Sequence, residues 1–73
     1  MQRSKTLIKI GEAIRNLRLE AGISQEALAE KAEVDRTYVG GVERGERNVS
    51  ILSLEKLCKA LNISLLDFFK HIK

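Results

Sequence analysis

The chain has 73 residues, 44% of them hydrophobic and only three aromatic, so it can bury one small core. Thirteen basic and ten acidic residues give a net charge of +3, which permits nucleic-acid binding without establishing it. One cysteine excludes an internal disulfide and a zinc site of its own, and no apolar run approaches the roughly 18 residues of a membrane span. We expect one domain over residues 1–73, located in the cytoplasm, with no metal, no cofactor and no membrane partner.

The first predicted element is an amphipathic helix from about Lys5 to Ala21. Its apolar residues recur every three to four positions, the spacing that places side chains on one helical face. These residues are Leu7, Ile10, Ile14, Leu17 and Ala21. Gly22 follows directly and can adopt the left-handed conformation that often ends a helix.

Two short helices are predicted between residues 24 and 44, each preceded by a residue whose side chain can accept a bond from an unpaired backbone amide. Ser24 precedes QEALAEKA, and Asp35 precedes RTYVGGVER. Small and apolar residues fall where two helices that meet at a sharp turn would touch. These residues are Ala27, Leu28, Ala29, Ala32, Val34, Val39 and Val42. The pattern predicts a helix-turn-helix, which is a device for binding DNA.

Two more helices are predicted after a short loop. Gly45 suits the end of the third helix, and Ser50 can cap a fourth helix that runs to about Leu61. Asn62 suits the end of that helix, and Ser64 caps a short fifth one. Because the sequence shows no strand alternation and no internal repeat, we predict an all-α fold of five helices.

The outward face of the third helix combines hydrogen-bond donors with positions that lack a side chain. These positions are Arg36, Thr37, Tyr38, Gly40, Gly41 and Arg44. A helix with valines on its inner face and such groups outside is suited to the major groove of DNA. Two surface helices of an unrelated bundle are the alternative. Residues 23–50 carry four basic and six acidic side chains, so phosphate binding would depend on a few placed groups and on helix starts.

The run IRNLRLEAGISQEALAEKAEVDRTYVGGVERGERNVSILSLEKLCKALNIS resembles the Xre-type, lambda-repressor-like helix-turn-helix family over nearly the whole chain. The pattern RTYV..VERG.RNVS before a leucine-rich helix is most similar to controller proteins of restriction-modification systems. The resemblance implies a compact lambda-repressor-like domain that regulates transcription as a homodimer on a palindromic operator in double-stranded DNA. It also implies control of its own gene and of the endonuclease gene, with RNA polymerase as a further candidate partner.

The resemblance assigns roles to individual residues by position. It implies base contacts from Arg36, Thr37, Tyr38, Gly41 and Arg47. It implies phosphate contacts from Ser24, Gln25, Arg44 and Asn48. A guanidinium at position 36 can bond both O6 and N7 of guanine, worth about 1–3 kcal/mol of discrimination. From the residues alone, Arg36 could instead bind a phosphate or stay solvated. Tyr38 could stack on a thymine methyl, bond a phosphate or flank the core.

A charged pair and two departures from the family pattern complete the expectations for this region. Arg18 and Glu43 match a pair with which the family ties the first helix to the end of the third; a surface ion pair of little value is the alternative. Glu33 stands where the family frequently has glycine, so a left-handed backbone there would cost about 1 kcal/mol. Gly40 and Gly41 each weaken the third helix by about 1 kcal/mol relative to alanine. They either let the backbone approach the bases closely or have no role.

The C-terminal helix is expected to serve dimerisation. Its apolar residues between Leu65 and Ile72 cover roughly 160° of the helix at 100° per residue, which is wider than docking on one small core requires. Part of this stripe, with the start of the fourth helix, is expected to face a second copy across a two-fold axis. The residues expected at the dimer interface are Ile51, Leu52, Leu65, Leu66, Phe68 and Phe69. The alternative is that the whole stripe closes the chain's own core.

We expect no enzymatic activity. His71 lies near the end of the chain, Cys58 lies in an apolar stripe, and the sequence has no phosphate-binding glycine loop or metal-spaced cluster. The alternatives to a controller protein are a phage-type repressor and an antitoxin-like module that binds a protein and has secondary DNA affinity. The acidic central segment favours the protein-binding alternative, whereas the arginines around the third helix favour DNA.

Overall fold

The computed structural model describes residues 4–72, which form five α-helices. These are α1 (Lys5–Glu20), α2 (Gln25–Ala32), α3 (Arg36–Glu43), α4 (Ile51–Ala60) and α5 (Leu65–Lys70). The all-α prediction is confirmed, and each predicted helix is present close to its expected bounds. Within residues 4–72, no helix has the length and apolar character needed to span a membrane.

Serine side chains begin four of these helices. The hydroxyl oxygens of Ser4, Ser24, Ser50 and Ser64 each accept a hydrogen bond from the backbone amide three residues later, at 3.0–3.3 Å. Asp35 occupies the same position before α3 with an extended backbone, but its carboxylate accepts no capping bond. The predicted side-chain cap at Asp35 is therefore wrong. The negative charge of Asp35 lies beside the positive end of the α3 dipole and is attracted to it without a directed hydrogen bond.

The turn between α2 and α3 contains a residue with a left-handed backbone that is not a glycine. Glu33 has φ 59° and ψ 45°, and its amide bonds the carbonyl oxygens of Ala29 and Glu30. Glu33 therefore adopts the left-handed backbone that the family frequently gives to a glycine, at a cost of about 1 kcal/mol. Asn62 ends α4 in the same way, with φ 59°.

The core is a single cluster to which all five helices contribute. Ile14, Leu28, Val39, Leu57 and Phe68, one from each helix in order, are completely buried. The expectation that Phe68 lies at a dimer interface is therefore wrong, because a core this small uses its largest apolar side chain to hold α5 in place. Leu65, expected at the same interface, is half-buried against the core.

α1 and α3 cross in backbone contact at Gly11. A Cβ atom on Gly11 would lie against the carbonyl oxygen of Val42 and 2.7 Å from that of Glu43. Only glycine allows the two helices to approach so closely. The crossing fixes the C-terminal end of α3 on α1, and it was not foreseen from the sequence.

Candidate nucleic-acid interface

The start of α2 and the exposed side of α3 enclose a groove of about 170 Å³, the α2–α3 groove. Its lining residues are Gln25, Arg36, Thr37, Gly40 and Arg44. The side chains of Arg36, Thr37 and Arg44 are exposed to solvent. Folding therefore brings together residues from two helices that were assigned from the sequence to base and phosphate contacts, and two of them are cationic.

Behind the α2–α3 groove, the carboxylate of Glu43 accepts three hydrogen bonds. Arg18 donates from Nε to Oε2 at 2.6 Å and from Nη2 to Oε1 at 3.2 Å, and Gln25 Nε2 donates to Oε1 at 3.0 Å. Both members of the pair are buried, so Arg18 and Glu43 do not form a surface ion pair. The hydrogen bonds that Arg18 donates to Glu43 raise the pKa of the guanidinium above its ordinary value, which keeps Arg18 protonated.

The same network sets the orientation of Gln25, which begins α2. Its amide nitrogen must face the Glu43 carboxylate, because an amide oxygen at that place would be repelled. One N–H is used in this bond, and the second remains for an acceptor such as a phosphate oxygen. Ser24 beside it is exposed and caps α2 with its hydroxyl oxygen, so its own O–H can donate.

The loop after α3 adds an arginine to the exposed side of that helix. Arg47 Cζ lies 5.5 Å from the centroid of the Tyr38 ring, a cation–π contact. Tyr38 is half-buried and packs against the core, as one of the two sequence interpretations had it. Asn48 next to the arginine is exposed. Arg44 pairs on the surface with Glu46, Nε to Oε1 at 3.0 Å, an exposed contact of small energetic value.

The backbone at Gly41 is not exposed to solvent. It is buried, and a Cβ atom at this position would lie 2.7 Å from Cγ of Arg47. The expectation that Gly41 faces DNA directly is therefore wrong, because the side chain of the loop arginine occupies the space. The only sequence signal for this packing is a glycine inside a helix shortly before an arginine.

Four large apolar side chains on α4 and α5 are exposed. Their exposed fractions are 61% for Ile51, 72% for Leu52, 71% for Leu66 and 44% for Phe69. They lie on two helices that pack against each other. They are four of the six residues that the sequence assigned to a dimer interface.

The chain's cysteine lies in the core and not at the surface. The Cys58 thiol is completely buried, and burial raises its pKa to about 11, with the charge of Glu55 adding to the shift. The thiolate is therefore scarce at neutral pH. Within residues 4–72, histidine, cysteine and acidic side chains form no group of three or more that could hold a metal ion.

Comparison with known proteins agrees with this geometry. A family model described as helix-turn-helix matches residues 14–68. Control protein C.MunI of Mycoplasma sp is 40% identical over 67 residues, covering 90% of each chain. Control protein C.BamHI of Bacillus amyloliquefaciens is 45% identical over 62 residues, covering 80% of this chain and 76% of that one.

Solved structures of controller proteins share the fold. The restriction-modification controller protein C.AhdI from Aeromonas hydrophila matches with a TM-score of 0.87 and 48% identity, over 90% of this chain and 100% of the other. The controller protein C.Esp1396I, as a tetramer in complex with its natural 35 base-pair operator, matches with a TM-score of 0.90 and 45% identity. That match covers 94% of this chain and 91% of the other.

The fold and the α2–α3 groove define a DNA-binding regulator of the helix-turn-helix class. The match of the family model spans most of the chain, and the control proteins are matched over most of their own length. The chain belongs to the helix-turn-helix family, and within it to the restriction-modification controller proteins.

Proposed function

We propose that this protein is a homodimeric transcriptional regulator that binds a palindromic operator and controls its own gene and the endonuclease gene of a restriction-modification system. The observation that carries the proposal is the α2–α3 groove, which gathers Gln25, Arg36, Thr37 and Arg44 on one surface. A C.Esp1396I tetramer bound to its operator supports the proposal, because that relative is 45% identical to this chain. The protein is not an enzyme, and it acts in the cytoplasm.

The two kinds of DNA contact come from different sets of residues. Arg36, Thr37, Tyr38 and Arg47 contact bases in the major groove. A bidentate arginine contributes about 1–3 kcal/mol of discrimination against a wrong base. The residues that bind phosphates and set the register of the protein on the duplex are Ser24, Gln25, Arg44 and Asn48.

Two copies of the domain are needed because α3 of a single copy contacts too few base pairs to select a site. The exposed side chains of Ile51, Leu52, Leu66 and Phe69 pair across a two-fold axis, so α5 serves as the dimerisation element of a single domain over residues 1–73. The two-fold axis places the α3 helices of the dimer about one DNA turn apart, roughly 34–36 Å. RNA polymerase is a candidate partner of the bound dimer.

Selection of DNA from a random pool tests the proposal. The protein is mixed at moderate salt with duplexes that carry a randomised central segment, and bound molecules are amplified and sequenced over several rounds. We expect enrichment of sequences with two-fold symmetry whose half-sites lie about 10 base pairs apart. Failure to enrich any sequence would favour the protein-binding alternative, which the excess of acidic residues in 23–50 supports.

A further inference from the structure

A glycine at position 41 is not explained by the backbone of α3. The glycines with positive φ in the described residues are Gly22 and Gly45, both outside the helices, so Gly41 has a φ that other residues adopt. Within a helix, glycine is less favourable than alanine because it loses more conformational entropy. A structural reason for glycine at this position must therefore lie in the space around it.

The space beside Gly41 holds the stem of Arg47. A Cβ atom at position 41 would lie 2.7 Å from Cγ of Arg47, and 3.5 Å from both Cδ and Nε. Cγ is near the root of the side chain, so an added methyl group would displace the whole arginine and not only its free end. The loop is attached at the same residue, because the backbone amide of Glu46 donates to the Gly41 carbonyl oxygen at 2.9 Å.

The head of the same arginine is held one helical turn away. Its guanidinium lies over the ring of Tyr38, with Cζ 5.5 Å from the centroid, and Tyr38 precedes Gly41 by three residues on α3. Arg47 therefore contacts α3 at two places: its stem packs in the space beside Gly41, and its guanidinium lies over the Tyr38 ring. An arginine ordered before binding loses less rotamer entropy when it contacts a ligand.

We propose that Gly41 is a positioning residue for DNA recognition, which makes room for Arg47 on the surface of α3 and thereby determines the base preference that Arg47 contributes. This inference rests on the proposed function, because Arg47 must meet DNA for the preference to be expressed. Gly41 itself touches no base. Its effect on binding passes through Arg47.

The position of Arg47 in the free protein is the first test, and Gly40→Ala is the matched control. Both glycines lie inside α3, but a Cβ on Gly40 would meet only the ends of side chains, Arg44 Nη1 at 3.1 Å and Gln25 Oε1 at 3.6 Å. Tyr38 is the only tyrosine of the chain, so selective labelling of tyrosine makes NMR contacts from its ring unambiguous beside the two phenylalanines. We expect cross-peaks between Arg47 and Tyr38 in the wild type and in Gly40→Ala, and their loss in Gly41→Ala. Retained cross-peaks in Gly41→Ala would overturn the inference without any DNA experiment.

The second test is a double-mutant cycle on a DNA site selected by the wild type. Arg47→Ala is expected to weaken binding about five- to 150-fold and to abolish preference at one base pair of each half-site. Gly41→Ala should lose preference at the same base pair, and Gly41→Ala/Arg47→Ala should bind no more weakly than Arg47→Ala alone. Equal losses from Gly41→Ala with and without Arg47 would show that the methyl group meets DNA directly, which overturns the inference.

Melting temperatures of the wild type, Gly41→Ala, Arg47→Ala and the double variant keep the inference testable if Gly41→Ala folds poorly. The double variant lacks the displaced side chain, so it should have a melting temperature at least as high as Arg47→Ala. A lower melting temperature would show that the new Cβ meets something other than Arg47, and it would overturn the inference. A wild-type protein that selects no DNA sequence would refute the proposed function and with it the role of Gly41 in recognition, whereas the NMR result decides the packing separately.

Discussion

A buried carboxylate is stable at the end of α3 because its partners neutralise it and occupy its oxygens. Glu43 accepts bonds from Arg18 and Gln25, and Arg18 also donates from Nη1 to the Ile23 carbonyl oxygen at 2.9 Å. Removing one member of such a pair leaves the other charge in a poorly solvated place. The exposed pair of Lys70 and Asp67, with 3.6 Å between nitrogen and oxygen, lacks this dependence because water can replace either partner.

Glu43→Ala should therefore lower the free energy of unfolding by about 3–5 kcal/mol, because it leaves the Arg18 guanidinium buried and unpaired. Lys70→Ala, which removes one side of an exposed pair, should change it by less than about 1 kcal/mol. Urea unfolding followed by circular dichroism measures both. Similar small losses in the two variants would mean that the Glu43 network does not hold α3 in place.

Prediction from sequence at the residue scale succeeded where the cause is local. The predicted caps at Ser24, Ser50 and Ser64 are confirmed, because each depends on residues within one turn of the serine. Prediction failed at Gly41 and Phe68, because their surroundings depend on how a loop and the other helices pack. It also failed at Asp35, a local cap for which the structure shows no side-chain bond. The burial of Phe68 in particular depends on how much volume the other four helices leave open, which apolar periodicity does not contain.

At the scale of elements, α3 owes its orientation to a close crossing with α1. Gly11 allows the backbones of the two helices to touch, and the pair of Arg18 and Glu43 ties them about two turns further along α1. The helix boundaries could be predicted from caps and periodicity. The crossing could not, because a single glycine in an amphipathic helix does not say which helix approaches it.

Gly11→Ala should destabilise the fold by about 1–3 kcal/mol, since the new methyl group meets carbonyl oxygens of α3 that cannot move freely. Gly40→Ala should instead stabilise it by up to about 1 kcal/mol, because it improves helix propensity and meets only side-chain ends. The two melting temperatures should therefore shift in opposite directions. A stabilised Gly11→Ala would contradict the close crossing.

At the scale of the whole molecule, the division of apolar side chains between core and surface bears on assembly. Four large apolar side chains on α4 and α5 remain exposed although the core beneath them is filled. The sequence indicated an apolar stripe wider than one core requires, and the structure divides it: Phe68 belongs inside, whereas Leu66 and Phe69 lie outside. The sequence could not predict this division, because it depends on how α5 packs on the other helices.

Leu66→Asp should convert the dimer to a monomer, because it places two charges near each other where apolar surface was buried. Leu19→Asp is the control, since Leu19 is 53% exposed and lies on α1. Sedimentation velocity at micromolar concentration distinguishes the two species. An unchanged dimer in Leu66→Asp, or a monomer in Leu19→Asp, would move the interface elsewhere.

The most direct test of the account is whether the exposed tip of α3 selects bases. Binding of Arg36→Ala and Gln25→Ala would be measured on a selected site and on every single base-pair substitution of it. Arg36→Ala should lose preference at one base pair of each half-site and keep it at the others, whereas Gln25→Ala should weaken all sites by the same factor. A uniform loss in Arg36→Ala, or unchanged preference at every base pair, would contradict DNA recognition through α3.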